Sequence, residues 1–146
     1  MARIVGDSGG ISSINLIDGE ENTSTEIPHA LRDCVQQLQE YFYEDRKSFN
    51  LKLNLQGTPF QIDVWKALQQ IPYGSTTSYQ ALSEQLGDVK AIRAVAGTIA
   101  KNKFLVVVPC HRVIGSDGAL TGYSAGIWRK RWLLEHENPP EQQSLF

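Results

Sequence analysis

Leu31, Cys34, Val35, Leu38, Tyr41 and Phe42 recur at helical spacing behind Pro28, which predicts an amphipathic helix. Phe49-Asn50-Leu51-Lys52-Leu53-Asn54-Leu55 alternates strictly between apolar and polar, the mark of a half-buried strand, and Gly57 ends the pattern. Residues 11–17 read as a short strand and the polar stretch 18–26 as a loop. Thr58 and Pro59 have the character of an N-cap and a first helical residue. They open a helix through Phe60, Val64, Trp65, Leu68 and Ile71 that Pro72-Tyr73-Gly74 stops. Ser78 caps a helix over 79–86, closed by Gly87, and a further helix over about 90–101 follows after a very short turn. Helices joined this tightly predict a helix-turn-helix whose second member is the recognition helix.

On that second helix Ile92, Val95, Ala96 and Ile99 form the stripe expected to be buried, while Arg93, Gly97 and Lys101, spaced by four, share another face. A glycine between two cations lets a phosphate backbone approach closely. The apolar run Leu105-Val106-Val107-Val108 predicts a buried strand leading into Pro109-Cys110-His111-Arg112-Val113. Gly115-Ser116-Asp117-Gly118 reads as a turn, and residues 121–126 as a small-residue loop able to wrap a flat ligand, with Tyr123 to stack on it. A last helix over 127–137 is expected to bury Ile127, Trp132 or Trp128, and Leu133-Leu134, before Asn138-Pro139-Pro140 ends it.

Composition narrows the class. With 146 residues, 41% hydrophobic and 21% charged, the chain has a soluble globular make-up. It has neither a run near the ~20 apolar residues of a membrane span nor a secretory signal at its start. Two cysteines make no disulfide framework, and a thiol that must react implies a reducing compartment, so the expectation is cytoplasmic. Cys34 lies on an apolar stripe and reads as a small core residue. The net charge of -2 gives no general case for nucleic acid. Its distribution does: residues 1–56 hold 5 Lys/Arg against 9 Asp/Glu, while residues 57–146 hold 9 against 7. Lys90, Arg93, Lys101, Lys103 and Arg112 crowd the stretch 87–112 with Asp88 as its one acid, a local footprint for phosphates.

Cys110 beside His111 is the candidate activated nucleophile. On extended backbone neighbouring side chains point to opposite faces. His111 would then take the Cys110 proton through a bridging water or a backbone bend. This adjacency is unlike a protease dyad, whose Cys and His lie far apart in sequence, and no oxyanion-hole motif is present.

Residues 57–146 resemble the O6-alkylguanine-DNA alkyltransferases almost end to end. The motifs that carry the resemblance are Thr77-Ser78-Tyr79-Gln80, Lys90-Ala91-Ile92-Arg93-Ala94-Val95, Asn102, Pro109-Cys110-His111-Arg112-Val113, Gly122-Tyr123-Ser124 and Lys130-Arg131-Trp132-Leu133-Leu134 with His136-Glu137. The resemblance implies an α+β protein: a shortened N-terminal α/β lobe over 1–56, a mainly helical, winged-helix-like domain with the helix-turn-helix over 57–140, and a flexible tail over 141–146. It implies a monomer without cofactor that flips O6-alkylguanine, and also O4-alkylthymine, out of double-stranded DNA and takes the alkyl group irreversibly onto Cys110. His111 would act through a water, oriented by Glu137, and Asn102 would hold the turn before Cys110. Tyr79 would face the base, Arg93 would fill the vacated place in the duplex, and backbone at Val113 with Tyr123 and Ser124 would line the base pocket. Gln80, Gly97 and Ser116 are the further DNA contacts expected.

The chain departs from the family pattern in a short N-terminal segment, as if a first hairpin were missing. It also has Lys103 where proline is common and Ala125 where glycine is common. A zinc site carried by some members is not expected, because His29 and Cys34 stand alone there. A non-enzymatic lesion-binding protein of the same fold is the alternative, and the intact Cys110 argues against it. Gln142-Gln143-Ser144-Leu145-Phe146 is similar to the peptides with which bacterial proteins dock on the replication sliding clamp.

Overall fold

A hairpin opens the chain. In the computed structural model, which describes residues 2–17, 26–120, 123 and 125–139, β1 (Ala2–Asp7) pairs antiparallel with β2 (Gly10–Leu16). Gly10 takes φ 130°, open to glycine, and its missing Cβ would meet the Lys52 carbonyl oxygen at 2.9 Å. The second strand lies where residues 11–17 predict it. The first corrects the expectation of a missing hairpin. Ala2, Arg3 and Val5 are all exposed, so no burial pattern marks that strand in the sequence.

The alternating stretch 49–55 keeps its pattern but not its strand. Phe49, Leu51, Leu53 and Leu55 are half-buried and the residues between them exposed. The ladder closes at one residue only, the bridge Ile11–Leu53, with Ile11 N–H donating to Lys52 O and Asn54 N–H to Ile11 O, both at 2.8 Å. The Gln37 side-chain amide supplies another backbone-like pairing, donating to Asn50 O at 3.0 Å and accepting from Asn50 N at 2.8 Å.

Helix α1 (Arg32–Tyr43) follows a 3-10 turn at His29–Leu31 and buries Cys34, Gln37, Leu38 and Tyr41. Burial pushes the Cys34 thiol up to about 11, so it is an inert core residue at neutral pH. Helix α2 (Pro59–Gln69) starts in a capping box of Thr58 and Gln61 and buries Val64, Trp65 and Leu68. Phe60, at the exposed first turn, stays 38% exposed.

A two-residue parallel ladder joins β3 (Thr77–Ser78) to β4 (Val113–Ile114). It fixes the start of the helix-turn-helix beside the segment that carries Cys110. Ser78 Oγ accepts from Ala81 N at 3.0 Å and caps α3 (Tyr79–Gln85). Asp88 caps a 3-10 turn at Val89–Ala91, and α4 (Ile92–Ala100) packs across α3 and α2 through Val95, Thr98 and Ile99. Trp65 Nε1 donates to Thr98 O at 3.2 Å. Ile92, expected in the buried stripe, is the first residue of α4 and lies 37% exposed, beyond the packed faces.

Helix α5 (Ile127–Glu137) buries Leu133 as expected but not the other apolar residues assigned to its inner face. Ile127, Trp128 and Trp132 are 44%, 63% and 46% exposed, whereas Lys130, Leu133 and Glu137 are buried. Its inward face is mixed: Leu133 joins the apolar core, while Lys130 and Glu137 border the centre that holds Cys110 and His111. Among the described residues no helix is long and apolar enough to cross a membrane.

Candidate active site

The residues between α4 and Cys110 form a chain of turns, not a strand. Val106 sits at φ 76°, a conformation a β-branched residue adopts only under constraint, and is buried to 1% exposure. Val108 N–H donates to Phe104 O at 2.9 Å and Cys110 N–H to Val108 O at 2.8 Å. Strand β2 reaches only the start of this segment, where Leu105 N–H donates to Ile14 O at 3.1 Å, so side chains must satisfy much of the rest. Asn102 does this from a buried position: Nδ2 donates to Val108 O at 2.9 Å and Oδ1 accepts from Phe104 N at 2.9 Å. The same Nδ2 lies 3.1 Å from Cys110 Sγ, placing the amide as a donor to sulfur.

Cys110 starts a 3-10 turn, Cys110–Arg112, so the extended backbone expected there is replaced by a bend. The thiol is 3% exposed. Burial pushes it up to about 11; the Asn102 hydrogen bond and the nearby Lys130 ammonium pull the other way. At neutral pH it is a thiol that a base must deprotonate.

His111 is fully buried, its Nε2 2.7 Å from Glu137 Oε2. Burial lowers its pKa, with the Glu137 hydrogen bond opposing. A neutral ring beside a carboxylate donates from Nε2, which leaves Nδ1 with a lone pair. Nδ1 is buried and has no hydrogen-bond partner among the described residues.

Glu137 is the hub. Besides His111 it accepts Arg112 Nε at 2.7 Å and Nη2 at 3.0 Å, and the Tyr41 hydroxyl at 2.6 Å. Burial works against its charge, but the hydrogen bonds of His111, Arg112 and Tyr41 hold the carboxyl down at about 2. Arg112 also donates from Nη1 to Ile71 O at 2.7 Å, and its guanidinium lies over the Tyr73 ring.

Three members of this centre stand outside the site expected from sequence: Lys130, Tyr41 and Arg112, the last counted with the phosphate footprint but buried here against Glu137. Lys130 is fully buried, its Nζ 5.9 Å from the Tyr79 ring centre, with a pKa lowered by burial and drawn back by Cys110. A lysine and a glutamate seven apart on one helix, both on its inner face, are the signal that was available.

Of the expected base-pocket residues, Tyr79 is half-buried at the start of α3, and Val113 and Tyr123 are buried. The Tyr123 hydroxyl also has no partner among the described residues. Ser124 and the tail 141–146 lie outside the described residues. Arg93, Gln80, Gly97 and Ser116 are all exposed, unlike the buried Cys110, His111 and Glu137. A Cβ at Gly97 would meet nothing within 4 Å, so the fold itself does not demand glycine there.

The model of the 6-O-methylguanine DNA methyltransferase DNA-binding domain matches residues 59–139. A Mycolicibacterium paratuberculosis protein named methylated-DNA–protein-cysteine methyltransferase is 47% identical over 124 residues, covering 84% of this chain and 75% of that protein. The crystal structure of Mycobacterium tuberculosis OGT in complex with DNA superposes with a TM-score of 0.83 at 42% identity, covering 93% of this chain and 85% of that one. Schizosaccharomyces pombe Atl1, solved in complex with damaged DNA containing O6-carboxymethylguanine, reaches a TM-score of 0.51 at 28% identity over 62% of this chain and 85% of its own.

Proposed function

The chain belongs to the 6-O-methylguanine DNA methyltransferase family, and on that premise we propose that Cys110 is the acceptor through which it removes alkyl groups from O6-alkylguanine in DNA. The observation that carries this reading is the buried Cys110 thiol, held by Asn102 at 3.1 Å. Beside it stands a neutral His111 whose Nε2 is committed to Glu137. The lesion-binding reading has the shorter structural likeness and leaves this apparatus without a use.

With the thiol pushed up to about 11, thiol outnumbers thiolate by about ten thousand to one at pH 7. The proton therefore passes through a bridging water to His111 Nδ1, and Glu137 holds the ring in the tautomer that can take it. Sulfur attacks the alkyl carbon, an S–C bond forms, and the C–O6 bond breaks onto the guanine. The Tyr79 hydroxyl donates a hydrogen bond to the departing base, and Asn102 and Lys130 steady the thiolate. The product is a thioether, so each molecule acts once. O4-alkylthymine fits the same displacement and is a second substrate. Residues 1–56 act as a supporting lobe and 57–140 as the part that handles DNA.

The target must leave the duplex, at a cost of a few kcal/mol. Arg93 takes the vacated place from the exposed face of α4, and Gly97 lets a phosphate approach where a side chain would stand. Gln80 and Ser116 touch the backbone, and Val113, Tyr123 and Ser124 line the pocket. Transfer from an O6-methylguanine duplex tests the assignment. Arg93→Ala is expected to slow it about 10–100-fold, while transfer from the free alkylated base stays within about twofold. An equal loss on both substrates would contradict this role for Arg93.

The protein works as a monomer in the cytoplasm, and residues 142–146 dock on the sliding clamp. Deleting 142–146 should abolish co-elution with purified clamp and leave transfer unchanged. Undiminished clamp binding would remove the tail from the account.

A further inference from the structure

We propose that Tyr41, on helix α1, is a positioning residue for alkyl transfer: its hydroxyl sets the Glu137 carboxylate that in turn orients His111. The inference rests on the assignment of Cys110 and extends it to the N-terminal half of the chain.

Glu137 Oε2 receives three donors, Tyr41 Oη at 2.6 Å, His111 Nε2 at 2.7 Å and Arg112 Nη2 at 3.0 Å. Each donor spreads the carboxylate's charge and lowers its pull on a proton. A carboxylate facing His111 alone would draw a second proton onto the ring, and an imidazolium has no lone pair at Nδ1 to accept the Cys110 proton. Tyr41 and Arg112 share that charge, so Glu137 orients the ring without charging it.

Tyr41 is built for a fixed contact. It is fully buried, its ring lies against Phe42, Phe49, Tyr73 and His136, and its own carbonyl is 2.6 Å from His136 Nε2. The hydroxyl and the carbonyl thus latch the end of α1 to the end of α5 at neighbouring residues, 136 and 137. Burial and the Glu137 charge push the phenol's pKa upward, so it remains a donor throughout the working range. The groups coupled to Glu137 and His111 include Tyr41 from α1, Arg112 from the 3-10 turn, Lys130 from α5, Tyr123, and Tyr73, itself influenced by Asp45. Among them Tyr41 is the one from residues 1–56, and it bonds the carboxylate directly.

The test is Tyr41→Phe in the full chain, with single-turnover transfer from an O6-methylguanine duplex followed from pH 5.5 to 9. The acid limb of the profile is expected to move up by about 0.5–1 pH unit. Below the midpoint of that limb the rate then falls by up to about 3–10-fold, and at pH 8.5 it stays within about twofold. The ring-nitrogen signals of His111 should titrate upward by the same amount. Cys34→Ala, buried in the same helix, should lower the melting temperature and move neither. An unmoved profile and His111 titration in Tyr41→Phe, or a pH-independent loss matched by Cys34→Ala, overturns the proposal. Absence of transfer by the wild type would instead overturn the Cys110 assignment, and the His111 titration still decides the role of Tyr41.

Discussion

Replacing Glu137 with alanine is expected to destabilise the protein by about 3–5 kcal/mol and to stop alkyl transfer in whatever fraction stays folded. The substitution leaves the Arg112 guanidinium, the His111 ring and the Tyr41 hydroxyl buried without the oxygens they now address. A buried charge without its partner is among the few changes that cost this much, a large share of the roughly 5–15 kcal/mol that holds a domain together. Melting followed by circular dichroism should show a loss of about 10 °C or more. Acid should act on the same centre. Glu137 sits at about 2 in the fold against an ordinary 4.5, so its contribution is complete above pH 4.5 and is lost as pH falls from there toward 2. His111 is also depressed, by burial, so its neutral form begins to cost stability as pH falls below its ordinary value of 6.5. The melting temperature should therefore decline first below about pH 6.5 and more steeply below 4.5. Glu137→Ala should lack the lower step. A variant that melts like the wild type with both steps intact would mean that the hub carries no stability.

The parts of this picture that the sequence makes legible are those written by local rules. Thr58-Pro59, Ser78 and Gly87 announce helix boundaries through capping and turn chemistry, and the helix-turn-helix follows from the short connection between two apolar periodicities. The stretch 105–108 misleads because four aliphatic residues look alike in a strand and in a buried turn. What decides is Asn102, whose side chain takes over the bonds a neighbouring strand would make. Helix α5 misleads for the opposite reason. Its tryptophans face outward, and its inner face carries Lys130 and Glu137, which periodicity assigns to solvent. The pairing of Tyr41 with Glu137 spans 96 residues and lies beyond any local pattern. Cys110, His111, Glu137 and Asn102 are legible as a set through family resemblance, and the structure pairs Asn102 with Cys110 and His111 with Glu137.

Cys110→Ala is expected to abolish transfer completely while leaving affinity for an O6-methylguanine duplex within about twofold, because Arg93, Gln80, Gly97 and Ser116 are exposed while the thiol is buried. Its effect on chemistry is the largest available, since no other group here can accept the alkyl carbon: Cys34 is fully buried in the core with its thiol at about 11. Cys110→Ser keeps the shape and should be equally silent, for a hydroxyl in this site is far less acidic than the thiol it replaces. Retained binding with lost transfer separates the nucleophile from the DNA-handling surface; a parallel loss of binding would show that the two are not separable.

The most direct measurement is the intact mass of the wild-type protein after incubation with an excess of O6-methylguanine oligonucleotide, followed by peptide mapping. The account predicts a gain of one methylene per molecule, located on Cys110, with no further repair by the modified protein and no gain in Cys110→Ala. An unchanged wild-type mass, or the same gain in Cys110→Ala, would contradict it.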